Sequence, residues 1–143
     1  MNPLAAAALA AGELICEFSD GYRKSLLAEI AGDPPRTEML IVYEEIAPDS
    51  AQAVVSRRPG RHAVEVRSTG KNVYFIQADG PSVRVTTLTG CLRERVNDGT
   101  CTRFSARHAW TFDTAMHFDP DAALARQPSG AATGVCEPWK VED

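Results

Sequence analysis

The sequence predicts an all-β domain of about eight strands, folded as a small antiparallel β-barrel or a compact β-sandwich, with at most one or two short helices. Short segments of alternating apolar and polar residues recur along the chain, and turns rich in Gly, Pro, Asn and Asp separate them. A chain of 143 residues, of which 44% are hydrophobic, is sufficient for one such domain. We expect the domain to span residues 12–143.

Three segments in the middle of the chain carry the clearest strand pattern. Val64 and Val66 alternate with charged residues, which is typical of a strand with one buried face. Segment 73–78 follows a Gly-Lys-Asn turn, and in segment 82–89 valines alternate with arginine and threonine. Consecutive strands joined by short turns indicate an antiparallel meander.

Segment 102–113 has an aromatic face and a polar face. Phe104, Ala106, His108 and Trp110 alternate with polar residues, so they lie together on the predicted inner side of the sheet. Aromatic side chains at such positions are usually part of the core. If the sheet closes, however, they line a barrel, and a barrel of about eight strands can hold one small ligand. The predicted ligand-binding residues are His108, Trp110, Phe104 and Phe75.

The four cysteines are widely spaced, and none forms a C-x-x-C pair. This number and spacing of cysteines favours two structural disulfides, and therefore an oxidising compartment, periplasmic or secreted. Three connectivities are open. We favour Cys16–Cys136, joining the two ends of the chain, and Cys91–Cys101, closing a local loop. The alternative is four buried thiols in a cytosolic protein.

The sequence between Cys91 and Cys101 leaves open whether these two cysteines form a disulfide with each other. A two-residue hairpin turn at Asp98-Gly99 places Cys91 about 17 Å along the strand from the residue opposite Cys101. The Cα atoms of a disulfide lie within about 7 Å of each other. We therefore expect a wide loop over 92–100, closed by the bridge, with a different pairing as the alternative.

The first eleven residues have some features of an export signal. Residues 4–11 are apolar, and Ala8-Leu9-Ala10 has the small-x-small form of a cleavage site, but no basic residue precedes Arg23. We expect residues 1–11 to be the remnant of an export signal. The alternative is an alanine-rich first helix of the folded domain.

One group of potential metal ligands or acid–base residues occurs near the end of the aromatic strand. His108, His117 and Asp119 are the candidates for a metal site and for a metal-assisted enzyme, which is the alternative function. A buried histidine that is hydrogen-bonded within the core is the more ordinary interpretation of His108. The sequence lacks a G-x-S-x-G nucleophile elbow. We therefore favour a protein that is not an enzyme, and we expect no cofactor.

The net charge and the composition limit the classes of partner that we expect. The formal net charge is −4, and the arginines are spread along the chain, so we do not expect nucleic acid as a partner. The longest uncharged stretch is far shorter than the ~20 apolar residues of a membrane-spanning helix, so we expect no integral membrane segment. The expected partner is a small apolar ligand or an exported protein. The oligomeric state is not predicted.

Five short motifs resemble those of a group of small, exported, uncharacterised bacterial proteins. They are C-x-F-x-x-G, V-x-F-I, V-x-x-T-T, S-x-R-H and G-x-C, here Cys16-Glu17-Phe18 with Gly21, Val73-Tyr74-Phe75-Ile76, 83–87, Ser105-Ala106-Arg107-His108 and Gly134-Val135-Cys136. The resemblance implies export, a small β fold and an end-to-end disulfide, but no activity. The chain departs from the group in its second cysteine pair and in an insert over 114–127.

Overall fold

The computed structural model describes residues 2–19, 37–55, 60–79, 82–112 and 129–138. These residues form one helix and eight strands: α1 (Pro3–Ala11), β1 (Leu14–Ser19), β2 (Thr37–Glu44), β3 (Ser50–Val55), β4 (His62–Ser68), β5 (Val73–Asp79), β6 (Ser82–Glu94), β7 (Cys101–Phe112) and β8 (Ser129–Pro138). Each strand pairs antiparallel with the next, and β8 pairs with β1 to close the barrel. The all-β prediction is confirmed, and of the two predicted architectures the chain adopts the barrel.

The β8–β1 seam, defined as the paired strands β1 and β8, is held by the first disulfide. Cys16 lies directly opposite Cys136, their Cα atoms are 4.0 Å apart, and both side chains are fully buried. Gly134 lies opposite Phe18 in the same ladder. A Cβ atom at Gly134 would come within 1.9 Å of the Glu17 carbonyl oxygen, so only glycine fits the seam at this position.

The β6–β7 hairpin contains the second predicted disulfide, Cys91–Cys101, with 5.8 Å between the Cα atoms. The expected wide loop over 92–100 is wrong in its extent, because β6 continues through Cys91 to Glu94. The loop is 95–100, and the Arg95 amide donates a 2.7 Å hydrogen bond to the Thr100 carbonyl. Irregularities between residues 91 and 94 shift the register, and this shift brings the two cysteines together.

Helix α1 lies across the end of the barrel at which β2 connects to β3 and β4 connects to β5; we call this the helix-capped end. Asn2 caps the helix, because its Oδ1 accepts a 2.8 Å hydrogen bond from the Leu4 amide. Its Nδ2 donates to the carbonyl oxygens of Thr69 and Asn72 in the β4–β5 turn, at 3.0 and 3.1 Å. After the helix, the Gly12 carbonyl accepts from the Ile46 amide at 3.0 Å.

Four residues of α1 belong to the hydrophobic core, which gives the first residues a defined place in the fold: they are Leu4, Ala5, Ala7 and Ala8. The expectation that residues 1–11 are the remnant of an export signal stays a prediction. The rest of the core comes from alternate positions on the strands, as the sequence pattern predicts; Val64 and Val66, for example, are 4% and 7% exposed. The strands β1, β3, β5 and β7 end at the opposite end of the barrel, which we call the far end.

Candidate functional site

A group of polar and amphipathic side chains faces the barrel interior on three neighbouring strands. We call it the polar inner wall, and its residues are Gln77 on β5, Arg84 and Thr86 on β6, and His108 and Trp110 on β7. The register places Gln77 and Trp110 on either side of Arg84, and it places His108 opposite Thr86. Gln77, Thr86 and His108 are 3%, 0% and 1% exposed. The wall is therefore a buried polar surface in the half of the barrel nearer the far end.

In the first residues of β6, hydrophobicity alone suggests the opposite orientation. Val83 and Val85 are apolar, yet Val83 is 40% exposed while Thr86 is fully buried, as is Leu88 two residues further along the strand. Arg84, Thr86 and Gln77 were not among the site residues predicted from the sequence. The signal that identifies Thr86 is the pairing register, because the residue opposite an inward-facing His108 must itself face inward.

A chain of hydrogen bonds crosses the barrel from the opposite side. The Tyr43 hydroxyl on β2 lies 2.5 Å from Thr86 Oγ1, and Thr86 Oγ1 lies 2.9 Å from His108 Nδ1. Strands β2 and β6 are four apart in the closed barrel of eight, so Tyr43 reaches across the interior. Its ring stacks on Phe75 with 4.4 Å between the ring centroids. These two rings fill the middle of the barrel.

Burial fixes the protonation of both ends of this chain. Burial raises the pKa of Tyr43 well above its usual value near 10, so the phenol keeps its proton. Burial and the nearby Arg84 guanidinium lower the pKa of His108 to about 4, so its imidazole is neutral at neutral pH. Arg84 also acts on Tyr43, so its positive charge is felt at both ends of the hydrogen-bond chain.

The hydrogen-bond chain is compatible with both tautomers of a neutral His108. If Tyr43 donates to Thr86 Oγ1 and Thr86 donates to His108 Nδ1, the imidazole proton resides on Nε2. If His108 Nδ1 donates to Thr86 Oγ1 instead, Nε2 is an acceptor. Among the described residues, Nε2 of His108 has no hydrogen-bond partner although it is buried.

Two aromatic rings lie near the His108 imidazole. Its centroid lies 5.2 Å from that of Phe18 and 6.0 Å from that of Trp110. Phe18 is fully buried, whereas Trp110 is half-buried and packs against the edge of the core. The site therefore combines a buried imidazole nitrogen, Nε2 of His108, with an apolar aromatic surface that is partly accessible.

The predicted ligand-binding residues separate into two pairs. Phe75 and Phe104 are fully buried members of the hydrophobic core, and Phe104 faces Cys136 across β7 and β8. His108 and Trp110 belong to the polar inner wall. Ligand binding by any of the four stays a prediction.

The predicted metal site cannot be assembled from the described part of the chain. His117 and Asp119 lie outside the described residues. Within residues 2–19, 37–55, 60–79, 82–112 and 129–138, no three His, Cys, Asp or Glu side chains are grouped so as to hold a metal ion. The metal-assisted enzyme remains an untested alternative.

A concave surface, of about 950 Å³, lies at the helix-capped end between α1, the β6–β7 hairpin and the end of β8. Its charged rim includes the ion pairs Arg103–Glu137 at 3.5 Å and Arg95–Asp98 at 3.7 Å. Exposed pairs of this kind contribute little to stability. Because both signs of charge line this surface, it indicates no particular ligand.

No protein-family model matches this chain, and no curated protein or solved structure is significantly similar to it. The resemblance to small exported bacterial proteins therefore stays a prediction based on its five motifs. None of the helices among the described residues is long and apolar enough to cross a membrane. The two disulfides indicate folding in an oxidising compartment, outside the cytoplasm.

Proposed function

We propose that this protein is an exported binding module, periplasmic or secreted, which holds a small ligand at the polar inner wall of its barrel. The observation that carries the proposal is the Nε2 atom of His108, a buried polar atom for which the described residues provide no hydrogen-bond partner. Buried polar groups in native proteins are nearly always partnered, and an unpartnered one costs about 1–3 kcal/mol. A ligand that bonds to Nε2 would recover that free energy on binding.

The architecture favours a site at the far end of the barrel. Helix α1 covers the other end, and the stacked rings of Tyr43 and Phe75 fill the middle. Trp110 lies on β7 two residues before the strand ends, and it is half-buried. Of the described residues on β7, Trp110 lies nearer the far end than His108.

Rigidity supports a binding role. The barrel has closed hydrogen bonding around its circumference and two disulfides, so its inner wall is fixed before any ligand arrives. A site that is already ordered loses less conformational entropy on binding, and this increases affinity. An exported protein partner is the other form of the prediction, and it stays a prediction.

The test is a thermal-shift screen of small amphipathic molecules, followed by calorimetry. A ligand at 100 times its dissociation constant adds about 2.7 kcal/mol to the free energy of unfolding, a readily measured shift. We expect at least one compound to bind the native protein and to bind at least tenfold more weakly to His108→Phe, which keeps a ring but lacks the Nε2 atom. Val83→Thr, which alters an exposed residue of β6, is the matched control and should bind as the native protein does. Equal affinity for native protein and His108→Phe would refute the proposal.

A further inference from the structure

We infer that the projecting end of the β6–β7 hairpin is a docking site for an extended peptide segment of a partner protein. The segment adds a strand to residues 89–94, which we call the free edge of β6, and it places one acidic side chain beside Arg93. This site lies at the helix-capped end of the barrel, so the inference is independent of the small-ligand site proposed above.

The free edge has a neighbouring strand on one side only. Strand β6 runs to Glu94, but its ladder with β5 ends where Val73 lies opposite Leu88. On the other side the ladder with β7 continues until Glu94 lies opposite Cys101. Within the described residues, no backbone hydrogen bond joins the free edge to α1 or to the β4–β5 turn. Because the amides and carbonyls of a strand alternate between its two sides, part of this backbone is open to another strand.

The free edge is held as a strand before any partner arrives. A two-stranded hairpin by itself is marginally stable in water. Here the Cys91–Cys101 disulfide joins the two strands of the hairpin beyond their ladders with β5 and β8. A strand that is already ordered loses less conformational entropy when a peptide pairs with it. The hairpin end is therefore suited to strand addition, which is an established mode of peptide recognition.

The hairpin end also carries exposed apolar side chains. Among the described residues, three large hydrophobic side chains are exposed: Val83, Leu92 and Val96, at 40%, 56% and 99%. Leu92 lies within the free edge, and Val96 lies in the loop that follows it. In strand addition, main-chain hydrogen bonds supply affinity and contacts of alternate side chains supply specificity. We expect an apolar residue of the partner segment to pack on Leu92.

Arg93 supplies the charge that selects the partner segment. It lies directly opposite Arg103 in the β6–β7 ladder, and like charges at such positions repel each other. Arg103 is compensated by Glu137 at 3.5 Å, whereas Arg93 forms no ion pair with a described residue. An acidic side chain beside Arg93 would form a charge-assisted hydrogen bond and would offset this repulsion.

The surroundings limit the partner segment to one acidic residue. Four carboxylates line the concave surface beside the hairpin: Glu13, Glu45, Asp98 and Glu137. Glu94 lies within the free edge itself. Their negative charge disfavours a strongly acidic segment. Charged side chains on an exposed edge also prevent indiscriminate pairing, so a single countercharge at Arg93 distinguishes the partner from other extended chains.

The experiment uses three acetylated and amidated eight-residue peptides of alternating valine and threonine. One central threonine is replaced by glutamate, by glutamine or by lysine. Their affinities for the intact oxidised protein are measured by calorimetry at pH 7. We expect the glutamate peptide to bind at least fivefold more tightly than the glutamine peptide and at least tenfold more tightly than the lysine peptide, because only its charge is opposite to that of Arg93.

Methylation of the peptide backbone tests strand pairing directly. Two further glutamate peptides carry N-methyl groups on the odd or on the even residues, and each lacks the N–H donors of one side of the strand. We expect one of the two to lose all measurable binding and the other to bind as the parent peptide does. Hydrogen exchange of the complex should show new protection in residues 89–94.

Two arginine variants test the role of charge. Arg93 and Arg107 are both exposed residues of the same hairpin, but Arg107 lies on the wall of the barrel, opposite Thr87 and away from the free edge. We expect Arg93→Gln to bind the glutamate peptide at least fivefold more weakly than the native protein does. Arg107→Gln is the matched control and should bind it with unchanged affinity.

Several outcomes would overturn the inference. Equal binding of the three peptides, or equal loss in the two arginine variants, would remove the role of Arg93. Failure of all peptides to bind, or protection outside residues 89–94, would remove the docking site. Self-association of the native protein that protects residues 89–94 without peptide would assign the free edge to a second copy of the chain. None of these results bears on the proposed function, because His108 lies in the other half of the barrel.

Discussion

The β8–β1 seam and the polar inner wall are built from the same alternation of side chains, yet they differ in what they bury. At the seam the interior receives a disulfide and the ring of Phe18, all fully buried. At the wall the interior receives a threonine, a histidine and a glutamine, also nearly inaccessible. The seam has only apolar groups to pack, whereas the wall has donors and acceptors that need partners.

This difference separates residues that hold the barrel closed from residues that could recognise a ligand. Substitutions at the seam should change the free energy of unfolding most. Substitutions at the wall should cost less stability and should change what the interior can bind. The four predictions below test this separation, beginning with the largest expected effect.

Removal of the seam disulfide should have the largest effect. The double variant Cys16→Ala, Cys136→Ala opens a loop with a sequence separation of 120 residues, and the chain-entropy model gives a loss of about 5 kcal/mol in the free energy of unfolding. Urea denaturation measures this loss in the free energy of unfolding. The matched control, Cys91→Ala with Cys101→Ala, opens a separation of only 10 residues and should lose about 3 kcal/mol. Equal losses in the two double variants would contradict the special role of the seam.

The alternation pattern predicted the barrel because each strand carries its own signal. Cysteine number and spacing likewise led to the favoured pairing. The extent of the β6–β7 hairpin was not predictable. It depends on irregular pairing between Cys91 and Glu94, and no single residue in the sequence indicates such pairing.

The polar inner wall was predicted only in part. His108 and Trp110 could be identified because they alternate with polar residues on one strand. The contact between Tyr43 and Thr86 joins residues 43 positions apart on opposite sides of the barrel, and no local pattern encodes such a pair. Val83 and Val85 give no indication that Thr86 faces inward, because the pairing of Thr86 with His108 determines its face.

Replacement of the seam glycine should have the second largest effect. In Gly134→Ala the new methyl group meets the backbone of β1, 1.9 Å from the Glu17 carbonyl oxygen, and it lies 2.7 Å from Cδ1 of Phe18. Backbone atoms cannot yield without separating the two strands, so we expect a loss of about 3 kcal/mol. Gly70→Ala, where no atom lies within 4 Å of the new methyl group, is the control and should be nearly neutral. A loss well below about 3 kcal/mol would show that strands β1 and β8 can separate enough to admit a methyl group.

Acid should destabilise the protein through the wall and not through the seam. Burial holds the pKa of His108 near 4, below the value of about 6.5 in an unfolded chain. Between these values the unfolded state binds more protons, so stability is complete above pH 6.5 and falls as the pH drops towards 4, by about 3 kcal/mol in full. The measurement compares urea unfolding of native protein and His108→Gln across this range. Parallel pH profiles would show that His108 does not titrate with a lowered pKa.

The smallest of the four effects should come from Thr86→Val, which keeps the shape of the side chain but deletes the hydroxyl between Tyr43 and His108. It leaves a phenol proton and an imidazole nitrogen buried without their partner, at a cost of about 2 kcal/mol. Thr87→Val, on the outer face of the same strand, should cost less than about 0.5 kcal/mol in the same urea experiment. If the two variants were equally stable, the hydrogen-bond chain across the barrel would contribute nothing to folding.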